Sequence, residues 1–266
     1  MDSNRVLALC ADLKAEHEAL DSRVGGLDPA GWTTPTPAEG WAVRDQISHL
    51  AYFDVQAGLA LTDPEEFKRQ ADAMLRGEVP VGDTDLGRSV PPARLLASWR
   101  TGRAALLETA AGQDPNVRVA WYGPPMGLAS FITARLMETW AHGQDVADAL
   151  GLPPVVSERL RHVVHIGVGA RAYSFMVHGV TDPGDPVRVE AHGPSGDVWT
   201  WGPDDAADLV SGDAVELALL LTQRRHRDDV TLKVEGAVAE QWLSIAQSFA
   251  GPAGTGRAAG MPRVAG

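Results

Sequence analysis

The sequence predicts a helical bundle followed by a small α+β domain, and two patterns support this prediction. Through most of the first 180 residues, apolar residues recur at three- and four-residue steps, as in amphipathic helices. Beyond residue 180, turn residues and short stretches of alternating apolar and polar residues replace that pattern. The predicted domains are therefore residues 1–180 and 181–250. Residues 251–266 are mostly Gly, Ala and Pro and are expected to form a disordered tail.

The first part of the bundle consists of three helices interrupted by one loop. Residues 6–27 carry apolar side chains mostly three or four positions apart, which predicts the first helix. Residues 28–40 are rich in Pro, Thr and Gly and break the pattern. A second helix is expected to start between residues 41 and 44 and to end near residue 61. A shorter helix is expected over about residues 65–75.

Three further helices complete the predicted bundle. One covers about residues 93–111 and the next about residues 128–150. Gly151 ends the latter, because glycine followed closely by prolines is a strong stop signal. The last helix covers about residues 157–177, with Ser157 as a plausible N-cap.

The small domain is predicted to alternate strands and helices. Residues 187–191 and 198–202 alternate apolar and polar side chains and are separated by a Gly/Pro turn, which predicts a hairpin. A helix is expected over residues 213–224, a strand over 230–234 and a final helix over 238–249.

Composition and charge exclude several classes of function. The chain of 266 residues has a formal net charge of −12, whereas binding to phosphate backbones requires a basic face. A nucleic-acid partner is therefore not expected. No segment approaches the roughly 18–20 apolar residues needed to cross a membrane. The first residues lack a signal-peptide pattern, and the single cysteine, Cys10, suits a reducing compartment, so a cytoplasmic location is expected.

Three residues could bind a divalent metal. Glu138 and His142 are four positions apart, so both side chains project from one helix face. His49 lies in the middle of the second long helix and could face them across the bundle. Imidazole nitrogens and a carboxylate oxygen suit Zn²⁺, Ni²⁺ or Fe²⁺, and three protein ligands leave a position for a reacting molecule. Asp145 or a backbone carbonyl could accept the second imidazole N–H of His142.

The sequence around these residues resembles a known family. Residues 41–50 (WAVRDQISHL) and residues 137–146 (METWAHGQDV) look like the DinB-like four-helix superfamily and, more narrowly, the mycothiol-dependent maleylpyruvate isomerase family. The resemblance implies an up-down-down-up bundle whose metal is held by a histidine of the second helix and an E-x-x-x-H motif of a later one. It places His49, Glu138 and His142 at those positions, with zinc as the expected ion.

The resemblance extends to the small domain. Residues 212–225, residues 234–236 and Trp242 are similar to the C-terminal domain of the same family. In that family, an arginine of this domain binds an anionic substrate, so the resemblance implies such a role for Arg224 or Arg225. Arg227 is a third candidate for this role. The alternative is that these arginines only lie at a solvated helix end, where cations are favourable.

The implied function is that of a metalloenzyme that uses mycothiol or another small thiol. A thiol bound to a divalent metal is deprotonated near neutral pH and can attack a small electrophilic, anionic molecule, as a thiol transferase or a cis–trans isomerase. Two alternatives remain open. One is a thiol-independent isomerase, lyase or hydrolase of the same fold, and the other is a non-catalytic metal- or ligand-binding protein. Both monomer and homodimer are compatible with the sequence.

Several other residues are interpreted as structural. His162 and His165 share a helix face, but they offer only two ligands for a second metal site, and a proton donor is the alternative role for one of them. Cys10 is expected to be a buried packing residue. The tryptophans expected to act as packing anchors are Trp41, Trp121, Trp140 and Trp242.

Overall fold

The computed structural model describes residues 3–261, which divide into two units, residues 3–153 and 154–261. The helices of the first unit are α1 (Ser3–Val24), α2 (Pro29–Trp32), α3 (Val43–Thr62), α4 (Pro64–Leu75), α5 (Asp85–Ser89), α6 (Pro92–Ala111) and α7 (Leu128–Ala149). Two short antiparallel strands, β1 (Arg118–Val119) and β2 (Met126–Gly127), precede α7. The five predicted helices of this unit are confirmed to within a few residues at each end. The short helix α2 lies in the segment predicted as a loop, and α5, β1 and β2 lie between the predicted helices.

Four long helices form the core of the first unit. Helix α3 packs on α6 and α7, and α1 packs on the same two helices. Their apolar faces meet in a buried cluster, as the helical spacing of these residues requires. The cluster includes Leu20, Val24, Trp32, Val43, Ile47, Leu50, Leu95, Trp99 and Val146. No described helix is both long and apolar enough to cross a membrane.

The second unit contains helices and one four-stranded sheet. Its elements are α8 (Leu160–Gly169), α9 (Arg171–Val177), β3 (Val187–His192), β4 (Val198–Trp201), β5 (Asp208–Asp213), α10 (Ala214–Leu221), β6 (Lys233–Glu235) and α11 (Ala237–Ser244). The strand order is β4-β3-β5-β6, in which β3 pairs antiparallel with β4 and parallel with β5. The predicted hairpin is therefore confirmed. Helix α8 packs against α10, so the division falls after residue 153, whereas the sequence placed the boundary after residue 180.

Two predictions for the second unit were wrong. Residues 157–177 form two helices rather than one, because the chain leaves helical geometry at Ala170, directly after Gly169, a residue of low helix propensity. Strand β5 was not predicted, since Asp, Ser and Gly are poor strand formers. It is nevertheless a central strand, between β3 and β6.

Part of the expected disordered tail has defined contacts. The N–H of Gly251 donates to the Tyr173 hydroxyl oxygen at 2.9 Å, and the N–H of Gly254 donates to Oε1 of Gln247 at 2.8 Å. Residues 262–266, the remainder of that tail, lie outside the described residues.

Candidate metal centre

The structure brings His49, Glu138 and His142 together inside the first unit. One potential ligand atom from each residue lies within 4.8 Å of the others. Nε2 of His142 is 3.3 Å from Oε2 of Glu138, and the two imidazole ring centroids are 4.3 Å apart. The side chains of His49 and Glu138 are 18% and 22% exposed, so the group is reachable from solvent. Helix α3 contributes the first residue, and one turn of α7 contributes the other two.

A cap and a packed loop fix the position of α3 at this site. The N–H of Ala42 donates to Oδ2 of Asp45 at 2.9 Å, which satisfies one of the donors at the start of α3. The N–H of Gly87 donates to Oγ of Ser48 at 2.9 Å and joins α5 to α3. A Cβ atom on Gly87 would lie 2.7 Å from the carbonyl oxygen of Arg44, so only glycine permits this approach.

A chain of hydrogen bonds sets the tautomer of His142. The Thr36 hydroxyl donates to the carbonyl oxygen of Trp41 at 3.0 Å, so it must accept from Nε2 of Gln46, 2.9 Å away. This orientation turns Oε1 of Gln46 towards Nδ1 of His142, at 2.6 Å. Because an amide oxygen only accepts, Nδ1 carries a proton, and Nε2 is the nitrogen that donates to Glu138 or, without its proton, would bind a metal ion.

Asp83 holds the Nδ1 side of the His49 imidazole, as Gln46 does for His142. Its Oδ2 lies 2.6 Å from Nδ1 of His49, and its backbone carbonyl accepts a hydrogen bond from the Ser48 hydroxyl at 2.8 Å. Burial alone would raise the pKa of Asp83, but the hydrogen bond to His49 and the charge of that imidazole lower it below its ordinary value. The resulting carboxylate accepts a hydrogen bond from the Nδ1–H of His49, so Nε2 is the nitrogen of His49 that would bind a metal ion.

Glu138 is ionised in this environment. Burial opposes its charge, but the hydrogen bond and charge of His142, together with the charge of Arg135, lower the pKa of Glu138 to about 2. Arg135 is itself buried and is held by Asp54, whose Oδ1 accepts from Nη2 of Arg135 at 2.8 Å. A buried ion pair therefore lies one helical turn from Glu138 along α7.

The resulting set of donors fits a divalent cation. Nε2 of His142 and Oε2 of Glu138 are 3.3 Å apart, so the space between them suits either a proton on Nε2 or a metal ion in its place. Two ligand atoms, each about 2.1 Å from a tetrahedral zinc ion, would be about 3.4 Å apart. Two imidazoles and one carboxylate also form the ligand set of catalytic zinc sites that keep an open position.

Aromatic rings line the centre. The ring of Trp41 is nearly parallel to that of His142, with the centroids 6.2 Å apart, and its centroid lies 5.3 Å from the His49 ring. The ring of Phe53 lies 4.6 Å from that of His49. Trp41 was interpreted only as a packing anchor, but it contacts both imidazoles. It therefore limits the space around the ligand nitrogens.

Two residues that orient the imidazoles, Gln46 and Asp83, were not predicted from the sequence. Gln46 had a detectable signal, since it lies three positions before His49 and therefore on the same side of the helix. Asp83 lies in a loop, and no local pattern connects it to His49. Asp145 or a backbone carbonyl was expected to accept the second imidazole N–H of His142, and the Gln46 amide oxygen, 2.6 Å from Nδ1, was not among the expected partners.

Arg224 and Arg225 lie in the second unit, directly after α10. Nη1 of Arg224 donates to the carbonyl oxygen of Thr222 at 2.7 Å, and Nη1 of Arg225 donates to that of Arg224 at 2.6 Å. Arg225 also lines a cavity of about 300 Å³, with His226, Arg227 and Arg257 among the other residues. The role expected for these arginines in substrate binding stays a prediction.

The remaining candidate residues have ordinary surroundings. Nδ1 of His165 accepts a hydrogen bond from Trp201 Nε1 at 3.0 Å. Among residues 3–261, the one group of side chains that could bind a metal ion together includes neither His162 nor His165. Cys10 is buried, as expected for a packing residue, and burial raises the pKa of its thiol.

Comparisons with known proteins support the resemblance. The family model described as "Mycothiol maleylpyruvate isomerase N-terminal domain" matches residues 13–147. Two curated relatives, both described as uncharacterized proteins of Mycobacterium tuberculosis (strains CDC 1551 / Oshkosh and ATCC 25618 / H37Rv), are each 47% identical over 250 residues. These matches cover 93% of this chain and 97% of each relative.

Solved structures show the same fold. Crystal structures of the mycothiol-dependent maleylpyruvate isomerase and of a histidine-to-alanine mutant of it match with a TM-score of 0.55 at 15% identity. Each match covers 84% of this chain and 90% of the other. The family match and this fold show that the chain belongs to the mycothiol-dependent maleylpyruvate isomerase-like family.

Proposed function

We propose that this protein is a metal-dependent enzyme that uses mycothiol or another small thiol as a nucleophile on a small electrophilic, anionic molecule. The observation that carries the proposal is the group of His49, Glu138 and His142, in which the second nitrogen of each imidazole is held by an acceptor. This arrangement leaves both Nε2 lone pairs for one cation. Membership of a family named for a thiol-dependent isomerase supports the use of a thiol.

In this proposal, His49, Glu138 and His142 hold the ion, with zinc favoured over nickel or iron by the ligand set. When bound, the ion lowers the pKa of a coordinated thiol and polarises a substrate carbonyl. Gln46 and Asp83 keep the imidazole protons on Nδ1. Trp41 and Phe53 exclude water on two sides of the centre. The binding of an anionic group by Arg224 or Arg225 is part of the same proposal.

The favoured reaction is cis–trans isomerisation. The thiolate sulfur forms a bond to one alkene carbon, and the alkene electron pair moves to the conjugated carbonyl oxygen. Rotation about the resulting single bond follows, after which the electron pair returns and the carbon–sulfur bond breaks. The thiol is regenerated, so the step needs no oxidant or reductant. With a leaving group in place of the alkene, the same thiolate would give a thiol transferase.

We also propose that α1, α3, α6 and α7 adopt the up-down-down-up order of the DinB-like superfamily. The contacts of α3 and α1 with both α6 and α7 support this order. A cytoplasmic location belongs to the same proposal, since low-molecular-weight thiols are kept reduced there.

Metal stoichiometry tests the proposal first. Elemental mass spectrometry of untagged protein should find about one divalent ion per chain in the wild type and a large loss in His142→Ala, because one of three ligands is removed. His192→Ala, which removes an exposed histidine of β3, is the matched control and should keep the wild-type metal content. Equally low metal in all three proteins after reconstitution would refute the metal centre and favour a ligand-binding protein.

Thiol binding tests the second half of the proposal. Calorimetric titration of the metal-loaded protein with mycothiol should give saturable binding that disappears in the metal-free protein. A metal-loaded protein without affinity for mycothiol or any other small thiol would instead indicate a thiol-independent metalloenzyme.

A further inference from the structure

A second cavity lies beside the candidate metal centre and takes no part in holding the metal. It has a volume of about 300 Å³, at the small end of the range for ligand sites. It lies between α3, α4 and the segment before β2. Its lining includes Tyr52, Gln70, Ala73, Met74, Val79 and Tyr122.

One aromatic residue separates this cavity from the metal centre. The ring of Phe53 is 4.6 Å from that of His49, 5.0 Å from that of Tyr52 and 5.6 Å from that of Tyr122. Tyr52 is three positions beyond His49 on α3, so both side chains lie on the same side of that helix. The wall of the cavity therefore begins one helical turn from a metal ligand.

The cavity offers no uncompensated charge. Arg69 also lines it, but its Nε and Nη2 donate to the two carboxylate oxygens of Glu66 at 2.8 and 2.5 Å. The amide of Gln70 is engaged as well, since its Nε2 donates to Glu66 at 2.7 Å and its Oε1 accepts from Gln56 at 3.4 Å. Because Arg69 is already paired with Glu66, a charged ligand would gain no free counter-charge here, whereas an uncharged group can pack on the apolar part of the wall.

Two hydroxyl groups give the cavity its polarity. Tyr52 and Tyr122 are both partly buried, and no hydrogen bond between described residues uses either hydroxyl, so both can bond to water or to a ligand. Burial raises the pKa of both phenols, so each keeps its proton at neutral pH and can donate. The other lining residues are the apolar Ala73, Met74 and Val79, together with Arg69 and Gln70, which are paired with Glu66.

We propose that this cavity binds an uncharged aromatic or apolar part of the substrate, with the hydroxyls of Tyr52 and Tyr122 donating hydrogen bonds to an oxygen on that part. The inference rests on the proposed function, because it assigns the electrophilic end of the same molecule to the metal centre. It narrows the substrate class to small electrophiles that carry a ring or short apolar group besides their anionic end.

Phenol is a suitable probe, since it is an uncharged ring with one oxygen. Saturation-transfer NMR on the metal-loaded full chain should show saturable phenol binding. Tyr122→Phe should weaken it roughly fivefold, which is the effect of one hydrogen bond of about 1 kcal/mol. Ala73→Phe should abolish it by filling the cavity. Leu75→Phe adds the same ring at an exposed position of the same helix, and it should bind phenol as the wild type does.

Further comparisons make the test decisive. Benzoate should bind more weakly than phenol, because its carboxylate finds no free counter-charge. Co²⁺-loaded protein should broaden the phenol resonances relative to Zn²⁺-loaded protein, because the cavity adjoins the metal centre. Circular dichroism identifies any variant that fails to fold, and Tyr122→Phe then tests the cavity without changing its volume.

Three results would overturn the inference. They are no saturable phenol binding, equal binding by wild type and Ala73→Phe, and no broadening by Co²⁺. A protein that takes up no metal but loses phenol binding in Ala73→Phe would refute the proposed function, while leaving the cavity as a binding site for an uncharged ring.

Discussion

Gln46 is an uncharged residue that orients the imidazole of His142, a candidate metal ligand. Its amide is fixed at one end by the Thr36 hydroxyl, and that hydroxyl is fixed by the Trp41 carbonyl. A backbone group that cannot reverse its polarity thus determines that Nδ1 of His142 carries a proton. Asp83 reaches the same result for His49 with a charged acceptor. The two imidazoles are therefore oriented by chemically different partners.

We expect Gln46→Leu to weaken metal binding about 10- to 100-fold, which is the usual effect of removing a residue that orients a metal ligand. Gln46→Glu keeps an acceptor next to Nδ1 and should retain most of the affinity. The matched control is Gln56→Leu, which replaces another buried glutamine of α3 that has no recorded contact with the triad. Competition titrations against a chromophoric chelator measure these affinities, and equal losses in Gln46→Leu and Gln56→Leu would contradict the role of Gln46.

At this scale, the sequence predicted the three candidate ligands but not the residues that orient them. His49, Glu138 and His142 were identified from the residues around them, since an E-x-x-x-H spacing alone occurs on many helices. Gln46 and Asp83 depend on long-range packing. Gln46 meets His142 only because α3 packs on α7, and Asp83 meets His49 only because its loop folds onto α3.

At the scale of the element, β5 shows why strand prediction failed in the second unit. Four of its six residues are Asp, Ser or Gly, which are typical of turns, yet it pairs with β3 on one side and with β6 on the other. It also ends in a cap, because the side chain of Asp213 accepts hydrogen bonds from the first turn of α10. Pairing partners that lie far away in the sequence determine this strand, whereas the hairpin of β3 and β4 is local and was predicted.

Helix α11 depends on a side chain of β5. Oδ1 of Asp208 accepts hydrogen bonds from the N–H groups of Val238 and Ala239 at 2.8 and 2.9 Å. Gly236, directly before α11, has a φ of 93°, and a Cβ atom there would lie 2.2 Å from the same oxygen. This close approach requires glycine.

We expect Gly236→Ala to lower the free energy of unfolding by about 2–3 kcal/mol, because it combines an unfavourable φ with a steric clash. Gly169→Ala is the matched control in the same unit, since a Cβ atom there meets nothing within 4 Å. Urea unfolding followed by circular dichroism measures both. A loss in Gly236→Ala no larger than that in Gly169→Ala would show that the approach of Asp208 is not restrictive.

At the scale of the whole molecule, one buried histidine should make stability depend on pH. His17 is 1% exposed, neither ring nitrogen has a hydrogen-bond partner among the described residues, and burial lowers its pKa to about 4. In the unfolded chain, it would titrate near its ordinary value of 6.5. The unfolded state therefore binds more protons between pH 6.5 and 4, and the free energy of unfolding should fall as pH decreases through that window.

The expected loss from this residue is about 3 kcal/mol, from a shift of the His17 pKa at about 1.4 kcal/mol per unit. His17→Leu should remove that part of the pH dependence, whereas His192→Leu, at an exposed position, should leave the wild-type profile unchanged. Urea unfolding of metal-free protein at several pH values provides the comparison. Parallel profiles for the wild type and His17→Leu would contradict a neutral buried His17.

The triad also has a consequence for folding. His49 lies on α3 and the other two ligands lie on α7, so a bound ion would act as a cross-link between two segments far apart in the sequence. Any ligand that binds only the folded state stabilises it by mass action, by about 2.7 kcal/mol when its free concentration is 100 times its dissociation constant. The fraction of folded chains would then rise with the free concentration of the ion. A chelator would lower both the stability of the fold and the activity of the site.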